Sequence, residues 1–360
     1  KPDYQVEVLA PEHPQAQNVL SPGFTIHRAS LADKALMSIA GYKQVLDERI
    51  EIFAPDILIC LLWMPDGAAA YLKKKKIPYF LIAHGVEVFE SFFSLRKIVR
   101  SFLAPLKRQV FEGATEVWAV SGYTKEKVIH FCHTSAEKIS VIYNGVDQNY
   151  FTPGEKPQQL IQKHSLKGKF VLLTITRLED YKGIDKLVLA LGRIRSLHPI
   201  LIQSIHYLVG GIGPDLERLR DLVNRHNLND VVTFVGKVPA EDLVDYYRSC
   251  DLFAMLSRED LKTPNVEGFG LVFLEAAACA KASLAGRSGG IPDAVIDGKT
   301  GWLCDPTKDQ EIANRLIELI QQPELVVQMG RQAREYAETK MNWKTMTDKI
   351  DHRIKAHVRN

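Results

Sequence analysis

Phe170-Val-Leu-Leu-Thr-Ile175-Thr-Arg177-Leu-Glu-Asp-Tyr-Lys182-Gly183 is an apolar run that ends in a charged loop. Six residues of this apolar and β-branched character suit a strand buried on both faces. Arg177 and Lys182 then fall just past its C-terminal end, where open α/β sheets place their ligands. Two fixed cations there suit a diphosphate, Arg through its planar fork and Lys as a point charge. The plainer fate of such residues is a solvated loop pair.

The same alternation extends outward in both directions. Downstream, His206–Val209, Val231–Val235, Leu252–Met255 and Ala282–Ala285 read as strands, with helical stretches such as Gly213–Asn227 and Ala240–Cys250 between them. Upstream, Ile57–Leu62, Tyr79–Ala83, Val117–Val120 and Ile139–Tyr143 read as strands, with helices over Leu31–Arg49 and Thr124–Phe131. Strands alternating with helices predict parallel sheets. Tyr143-Asn-Gly-Val-Asp147 and the run Thr152–Gln158, with two prolines, mark a boundary. The expected fold is α/β with two Rossmann-like, doubly wound domains facing a cleft.

A second loop carries chemistry of its own, in Glu267-Gly-Phe-Gly-Leu-Val-Phe-Leu-Glu275. Gly268 and Gly270 permit close approach of a ligand to the backbone, and the apolar run from Leu271 to Ala280 starts a helix whose free N–H groups suit phosphate. Glu267 precedes the turn and Glu275 lies in the first helical turns, so both can border one anionic ligand. Hydroxyls at both ends and a diphosphate between them describe a nucleotide sugar. Dipole complementation is the simpler reading of Glu275, and the two are compatible.

Composition sets limits on the alternatives. The 360 residues are enough for two domains with their own cores, and 46% of them are apolar, an ordinary soluble value. A net charge of +3 gives no footprint for nucleic acid. Cys60, Cys132, Cys250, Cys279 and Cys304 form no Cys-x-x-Cys pair, which argues against zinc or a disulfide framework and for a reducing compartment. No apolar run reaches the roughly 20 residues that span a bilayer, and no signal peptide is read, so a cytoplasmic location is expected. Between Tyr71 and Val110, nine basic residues (Lys73, Lys74, Lys75, Lys76, Arg96, Lys97, Arg100, Lys107 and Arg108) face only Glu87 and Glu90. Solvated helix faces explain most such runs. The mixed apolar and basic stretch Phe92–Val110 also raises peripheral contact with an anionic membrane as a hypothesis.

In order along the chain, Arg177…Lys182-Gly183-Ile184-Asp185, Val209-Gly-Gly-Ile-Gly213, Phe234-Val-Gly236-Lys-Val238, Glu267-Gly-Phe-Gly270…Glu275 and Ser288-Gly-Gly-Ile-Pro292 resemble the motifs of retaining glycosyltransferases of family 4, which have the GT-B fold. The resemblance covers roughly Val117 to the C-terminus. It implies an N-terminal acceptor-binding domain over 1–147, a linker over 148–165, a nucleotide-sugar-binding domain over 166–341, and a C-terminal helix over 342–360 that returns to the first domain. Ala83-His84-Gly85-Val86-Glu87 resembles the family's His-Gly segment, whose His faces the donor sugar across the cleft.

The same resemblance assigns roles to named positions. Glu267 would contact the donor sugar, with Gly268 and the backbone of Phe269 and Gly270 against its hydroxyls and Leu271 and Val272 at the helix start. Glu275 would accept both ribose hydroxyls. Gly236, Lys237 and Val238 would hold the base, and Gly210 and Gly211 would pass close to the nucleotide. Arg177 and Lys182 would stabilise the leaving diphosphate. No Asp-x-Asp occurs in the sequence, so two cations stand where another transferase architecture uses a metal, and neither metal nor cofactor is expected.

One departure is that Gln5–Ala10 reads as a second strand, with no glycine-rich loop before it. Losing an inner strand would strip ladder bonds from its neighbours, which favours a chain that starts late over a shortened domain.

The expected activity is a retaining, metal-independent transfer of a hexosyl group from a UDP-sugar to a saccharide or lipid-linked acceptor. A GDP-mannose donor is the alternative. A non-catalytic nucleotide-sugar-binding subunit would require loss of His84, Arg177, Lys182 or the glutamates, all of which are present. A dinucleotide dehydrogenase would need a complete Gly-x-Gly-x-x-Gly after Gly211, and residue 216 is Leu.

Overall fold

A computed structural model describes residues 4–12, 23–29, 35–88, 97–259 and 265–358. They form two compact units. One comprises Lys1–Ala119, Lys125–Val141 and His357–Asn360, and the other Val120–Thr124 and Ile142–Ala356.

In the first unit the elements run β1 (Glu7–Pro11), β2 (Thr25–Ala29), α1 (Ala35–Phe53), β3 (Leu58–Cys60), α2 (Ala68–Leu72), β4 (Tyr79–Ala83), α3 (Lys97–Gly113), β5 (Glu116–Ala119), α4 (Gly122–Cys132) and β6 (Ile139–Val141). Strands β3, β4, β5 and β6 make a parallel sheet in that order, and β1 pairs in parallel with β2. The central strand β4 is apolar on both faces because helices cover both, and Phe80 and Leu81 are fully buried. Its core joins Tyr79, Leu81 and Ala83 to Val110 and Phe111 from α3 and Val128 and Cys132 from α4. Thr25–Ala29, with His27 and Arg28 in it, carries too little apolar signal to be read as a strand from sequence.

The second unit contains α5 (Gln158–Lys163), β7 (Phe170–Ile175), α6 (Ile184–Leu197), β8 (Ile205–Gly210), α7 (Leu216–Arg225), β9 (Val232–Gly236), α8 (Leu243–Ser249), β10 (Leu252–Met255), α9 (Leu271–Ala278), β11 (Ala282–Gly286), α10 (Ile291–Ala294), β12 (Gly301–Cys304), α11 (Asp309–Gln321), α12 (Pro323–Thr339) and α13 (Trp343–Val358). Its six parallel strands lie in the order β12-β11-β10-β7-β8-β9. Chain order therefore runs outward in one direction from β7 and in the other from β10. Loops leaving these two adjacent strands diverge and open a crevice at their C-terminal ends. Every residue of β8, β10 and β11 is buried, as strands covered by helices on both faces require.

The division into units departs from the expected ranges, and Val120–Thr124 and Ile142–Asp147 also group with the second unit. Residues 148–165 do not hang free. Arg248 bonds the Thr152 carbonyl at 3.0 Å and its hydroxyl at 2.6 Å, Lys156 meets Asp251 at 2.6 Å, and Arg334 bonds the carbonyls of Gln148 and Phe151. Most of the last helix also packs with the second unit. The Trp343 indole N–H donates to the Gly145 carbonyl at 3.1 Å, and the Lys349 ammonium sits 5.4 Å from the Tyr143 ring centre. Only the tip belongs to the first unit, where the His357 ring meets Phe80 edge-on at 5.6 Å.

Candidate functional site

The crevice between β7 and β10 gathers the charged loops. Lys182 leaves β7 and Glu267 follows β10, 85 positions later, and their side chains meet with Nζ 2.6 Å from Oε2. Each is largely covered, with 12% and 17% of the side chain exposed, so solvent screens the pair weakly. Burial by itself would lower the Lys182 ammonium, but Glu267 and Tyr181, through charge and hydrogen bonds, together outweigh it and hold Lys182 above the usual lysine value. The Tyr181 ring lies 4.8 Å from the same ammonium. Arg177 stands apart from this pair. It is 72% exposed and its Nε is 3.1 Å from Glu179.

Backbone contact fixes the Lys182 loop in place. Gly183 has φ +72°, and a Cβ there would lie 1.9 Å from the Leu256 carbonyl oxygen, so only glycine lets the loop touch the exit of β10. Arg258 adds a polar clamp. Its guanidinium reaches Asp185 at 2.8 Å and Asp180 at 2.7 Å, and its backbone N–H donates to the Tyr181 carbonyl at 2.8 Å. Arg218 also reaches Asp180 at 2.7 Å and Asp215 at 2.5 Å. The sequence reading missed Arg258. Its position just past the end of β10 is the signal that could have found it, by the rule that picked out Arg177.

Gly270 starts α9 in the left-handed region, with φ +97°, and a Cβ there would lie 2.6 Å from Phe273 Cδ2. Phe269 is buried and stacks on Tyr143 with ring centres 5.9 Å apart. The Ser288-Gly-Gly motif acts through its backbone. The Gly290 N–H donates to the Glu267 carbonyl at 2.9 Å, and a Cβ on Gly290 would lie 2.0 Å from the Gly268 carbonyl oxygen. Leu271 is exposed and Val272 half-exposed at the start of the helix.

Glu275 is half-buried, and its Oε2 accepts the Tyr247 hydroxyl at 2.6 Å. Burial pushes the Glu275 carboxyl up, partly opposed by that hydrogen bond. Tyr247, absent from the sequence reading, is fully buried, and burial together with the Glu275 charge drives its phenol well above the usual range.

The remaining positions lie along β8 and β9. Gly210 ends β8, where a Cβ would meet Val238 Cγ2 at 2.9 Å. Gly211 has φ +132°, its N–H donates to the Gly236 carbonyl at 2.7 Å, and a Cβ would fall 1.8 Å from the Thr176 carbonyl oxygen. This contact draws Gly211 and Gly236 together beside the root of the Arg177 loop. Lys237 is exposed and Val238 half-exposed.

In the first unit, His84 follows β4 and is exposed, with Nε2 3.0 Å from the Leu61 carbonyl. A carbonyl only accepts, so Nε2 is the donor in this contact. Glu87 folds back to accept the backbone N–H groups of His84 and Gly85.

Of the basic segment, Phe92–Arg96 lies outside the described residues. Lys107 is buried and donates to the Val88 carbonyl, and so lies off the surface. Lys75 pairs with Glu51 at 2.8 Å and Arg108 with Glu112 at 3.2 Å. All five cysteines are buried as free thiols. Among the described residues, no helix is long and apolar enough to cross a membrane, and no three His, Cys, Asp or Glu side chains are grouped to hold a metal ion.

Residues 156–336 match the model of the glycosyl transferases group 1, and residues 1–150 that of Glycosyltransferase Family 4. The chain belongs to the group 1 glycosyl transferases. Among curated relatives, the GDP-mannose-dependent alpha-(1-6)-phosphatidylinositol monomannoside mannosyltransferase of Mycolicibacterium smegmatis is 33% identical over 73% of this chain and 66% of its own length. The D-inositol 3-phosphate glycosyltransferase of an Arthrobacter species is 33% identical over 64% of this chain and 53% of its own. The chain thus spans between about half and two thirds of these relatives. Anabaena HepE in complex with UDP superposes with a TM-score of 0.76 at 20% identity, covering 92% of this chain and 86% of that one. The fold is the expected GT-B class, built from two Rossmann-like parallel-sheet units.

Proposed function

We propose that this group 1 glycosyl transferase moves a mannosyl group from GDP-mannose to a saccharide or lipid-linked acceptor, with retention and without a metal ion. The observation that carries the donor site is the contact between Lys182 and Glu267 at 2.6 Å beside the N-terminus of α9. A buried cation and a carboxylate at one point suit a ligand that joins phosphate to sugar hydroxyls. The mannosyl donor takes support from the Mycolicibacterium mannosyltransferase at 33% identity. It displaces the UDP-sugar expectation, because the UDP-bound Anabaena protein at 20% identity speaks to fold alone.

Lys182 would neutralise the charge that grows on the departing diphosphate, and Arg177 would swing from Glu179 to assist it. The acceptor hydroxyl would attack on the face from which the diphosphate leaves. The anomeric carbon–phosphate oxygen bond breaks, the new glycosidic bond forms, and the proton passes to the departing phosphate oxygen. Glu267 would bind sugar hydroxyls, and Glu275 the ribose. His84 would contribute a hydrogen bond to the sugar, and the first unit would hold the acceptor. Work at the inner face of a membrane through the exposed lysines Lys74–Lys76 accords with a lipid-linked acceptor.

Calorimetric titration of GDP, UDP and ADP with a chelator present tests the donor, followed by turnover of GDP-mannose. Preferred binding of GDP and release of GDP from GDP-mannose are expected. Preference for UDP would return the donor to the UDP-sugars, and a requirement for added divalent cation would remove the metal-free reading.

A further inference from the structure

Tyr247 has no part in the family motifs that the sequence displays, yet its hydroxyl donates to Glu275 Oε2 at 2.6 Å. The ring sits at full burial on α8, with Phe151 edge-on at 5.8 Å and Phe253 at 5.7 Å. A buried tyrosine hydroxyl needs an acceptor, and a main-chain carbonyl serves at little cost. Here the acceptor is instead a carboxylate whose own burial works against its charge. If packing were the only demand, phenylalanine and an uncharged neighbour would fill the same volume more cheaply. The arrangement makes sense where the carboxylate is kept for a ligand and has to be held in one orientation.

The hydrogen bond also divides the labour of the two oxygens. Oε2 is engaged by Tyr247, which leaves Oε1 as the open acceptor. The sequence reading gave Glu275 two free oxygens for the two ribose hydroxyls. With one oxygen committed, the carboxylate is fixed in rotation and presents one edge. Two ribose hydroxyls can share Oε1, which has two lone pairs, provided that the carboxylate does not turn.

We propose that Tyr247 is a positioning residue for the ribose of the nucleotide donor, holding Glu275 so that Oε1 receives the ribose hydroxyls and the site prefers ribonucleotides to 2′-deoxyribonucleotides. The inference rests on the nucleotide-donor reading above and extends it to the origin of sugar selectivity. Tyr247 touches no ligand itself and acts through Glu275.

The test measures affinity of the full chain for GDP and 2′-deoxy-GDP by calorimetry, in the wild type, Tyr247→Phe, Glu275→Ala and the double variant. Tyr247→Phe keeps the ring and its packing. The wild type is expected to favour GDP, and Tyr247→Phe to lose roughly five- to tenfold of its GDP affinity, the worth of one oriented hydrogen bond. Its 2′-deoxy-GDP affinity, which draws on the 3′-hydroxyl alone, should fall less, so the ratio narrows, and KM for the donor should rise more than kcat falls. In the Glu275→Ala background, Tyr247→Phe should leave the ratio unchanged, since there is no carboxylate left to orient. A general packing defect would lower both affinities together and leave their ratio intact. An unchanged ratio in folded Tyr247→Phe, beside a wild type that prefers GDP, would overturn the inference alone. A wild type that binds GDP and 2′-deoxy-GDP equally would overturn the ribose role of Glu275 and the inference with it.

Discussion

Removing either member of the Lys182–Glu267 pair strands the other charge in a site that solvent reaches poorly, and a double-mutant cycle measures that coupling. The perturbations are Lys182→Met, Glu267→Gln and both together. At 2.6 Å the attraction is large before desolvation is counted, and the two side chains are only 12% and 17% exposed. Breaking a buried pair from one side costs about 3–5 kcal/mol. Residual exposure, and the hydrogen bond that glutamine retains, reduce this to about 2–3 kcal/mol for each single variant. The double variant leaves no unpaired charge and should lose only about 1–2 kcal/mol, for a coupling of about 3–4 kcal/mol. Urea unfolding of the full chain, read at the transition of the second unit, supplies the four values. Losses that add within about 0.5 kcal/mol would refute the coupling. A pH arm sharpens the test. Lys182 is held above 10.5 in the folded state, so the stability it draws from Glu267 is complete below that value and is lost as pH rises through the higher folded value. The wild type's advantage over Lys182→Met should therefore persist to pH 10.5 and shrink above it, whereas an advantage that grows in alkali contradicts the assignment.

Four further outcomes follow from the same geometry. Lys182→Ala should lower turnover of the true donor by about 10²–10³-fold with the fold intact, as loss of one group stabilising a leaving charge does. Unchanged turnover would remove the diphosphate role. Glu275→Gln should raise stability at neutral pH by on the order of 1 kcal/mol while weakening donor binding. The Glu275 pKa is raised in the folded state, so its ionisation costs stability as pH climbs past 4.5, and thermal unfolding at pH 4 and 7 should show the gain only at the higher value. Gly183→Ala, which forces a Cβ to 1.9 Å from the Leu256 oxygen at φ +72°, should cost at least about 1–3 kcal/mol in unfolding assays. Arg258→Met should raise donor KM and lower stability by about 2–3 kcal/mol, because the largely buried Asp185 loses a charged partner at 2.8 Å. GDP titration and urea unfolding of the variant check both parts.

The second sheet was legible because β7, β8, β10 and β11 are buried on both faces and write continuous apolar runs. Thr25–Ala29 escaped notice because its polar His27 and Arg28 break any run, and Gly301–Cys304 because it opens on a glycine and offers only Trp302 and Leu303 as an apolar signal. Motif spacing singled out Lys182, Glu267 and Glu275, but spacing holds no distances. That Lys182 meets Glu267 directly, whereas Arg177 turns away to Glu179, depends on how two loops fold back at a strand switch. Tyr247 was hidden because Tyr246-Tyr247 inside a short amphipathic helix reads as packing. Only the tertiary contact with α9 reveals which hydroxyl faces a carboxylate. The linker and the last helix were read from boundary composition and resemblance. The bonds from Arg248, Arg334 and Trp343 that tie them to the second unit lie 96 to 198 positions apart in sequence.

The glycines at 183, 211 and 290 bring main chain against main chain, each within a distance of a carbonyl oxygen that no Cβ could occupy. For anyone reshaping specificity, this separates a fixed mould from its variable lining. A random library spread over these loops would spend most of its members on chains that cannot close the layer. Diversity confined to exposed Ile212, Lys237 and Leu271 would leave that layer untouched and vary only the side chains that stand out from it.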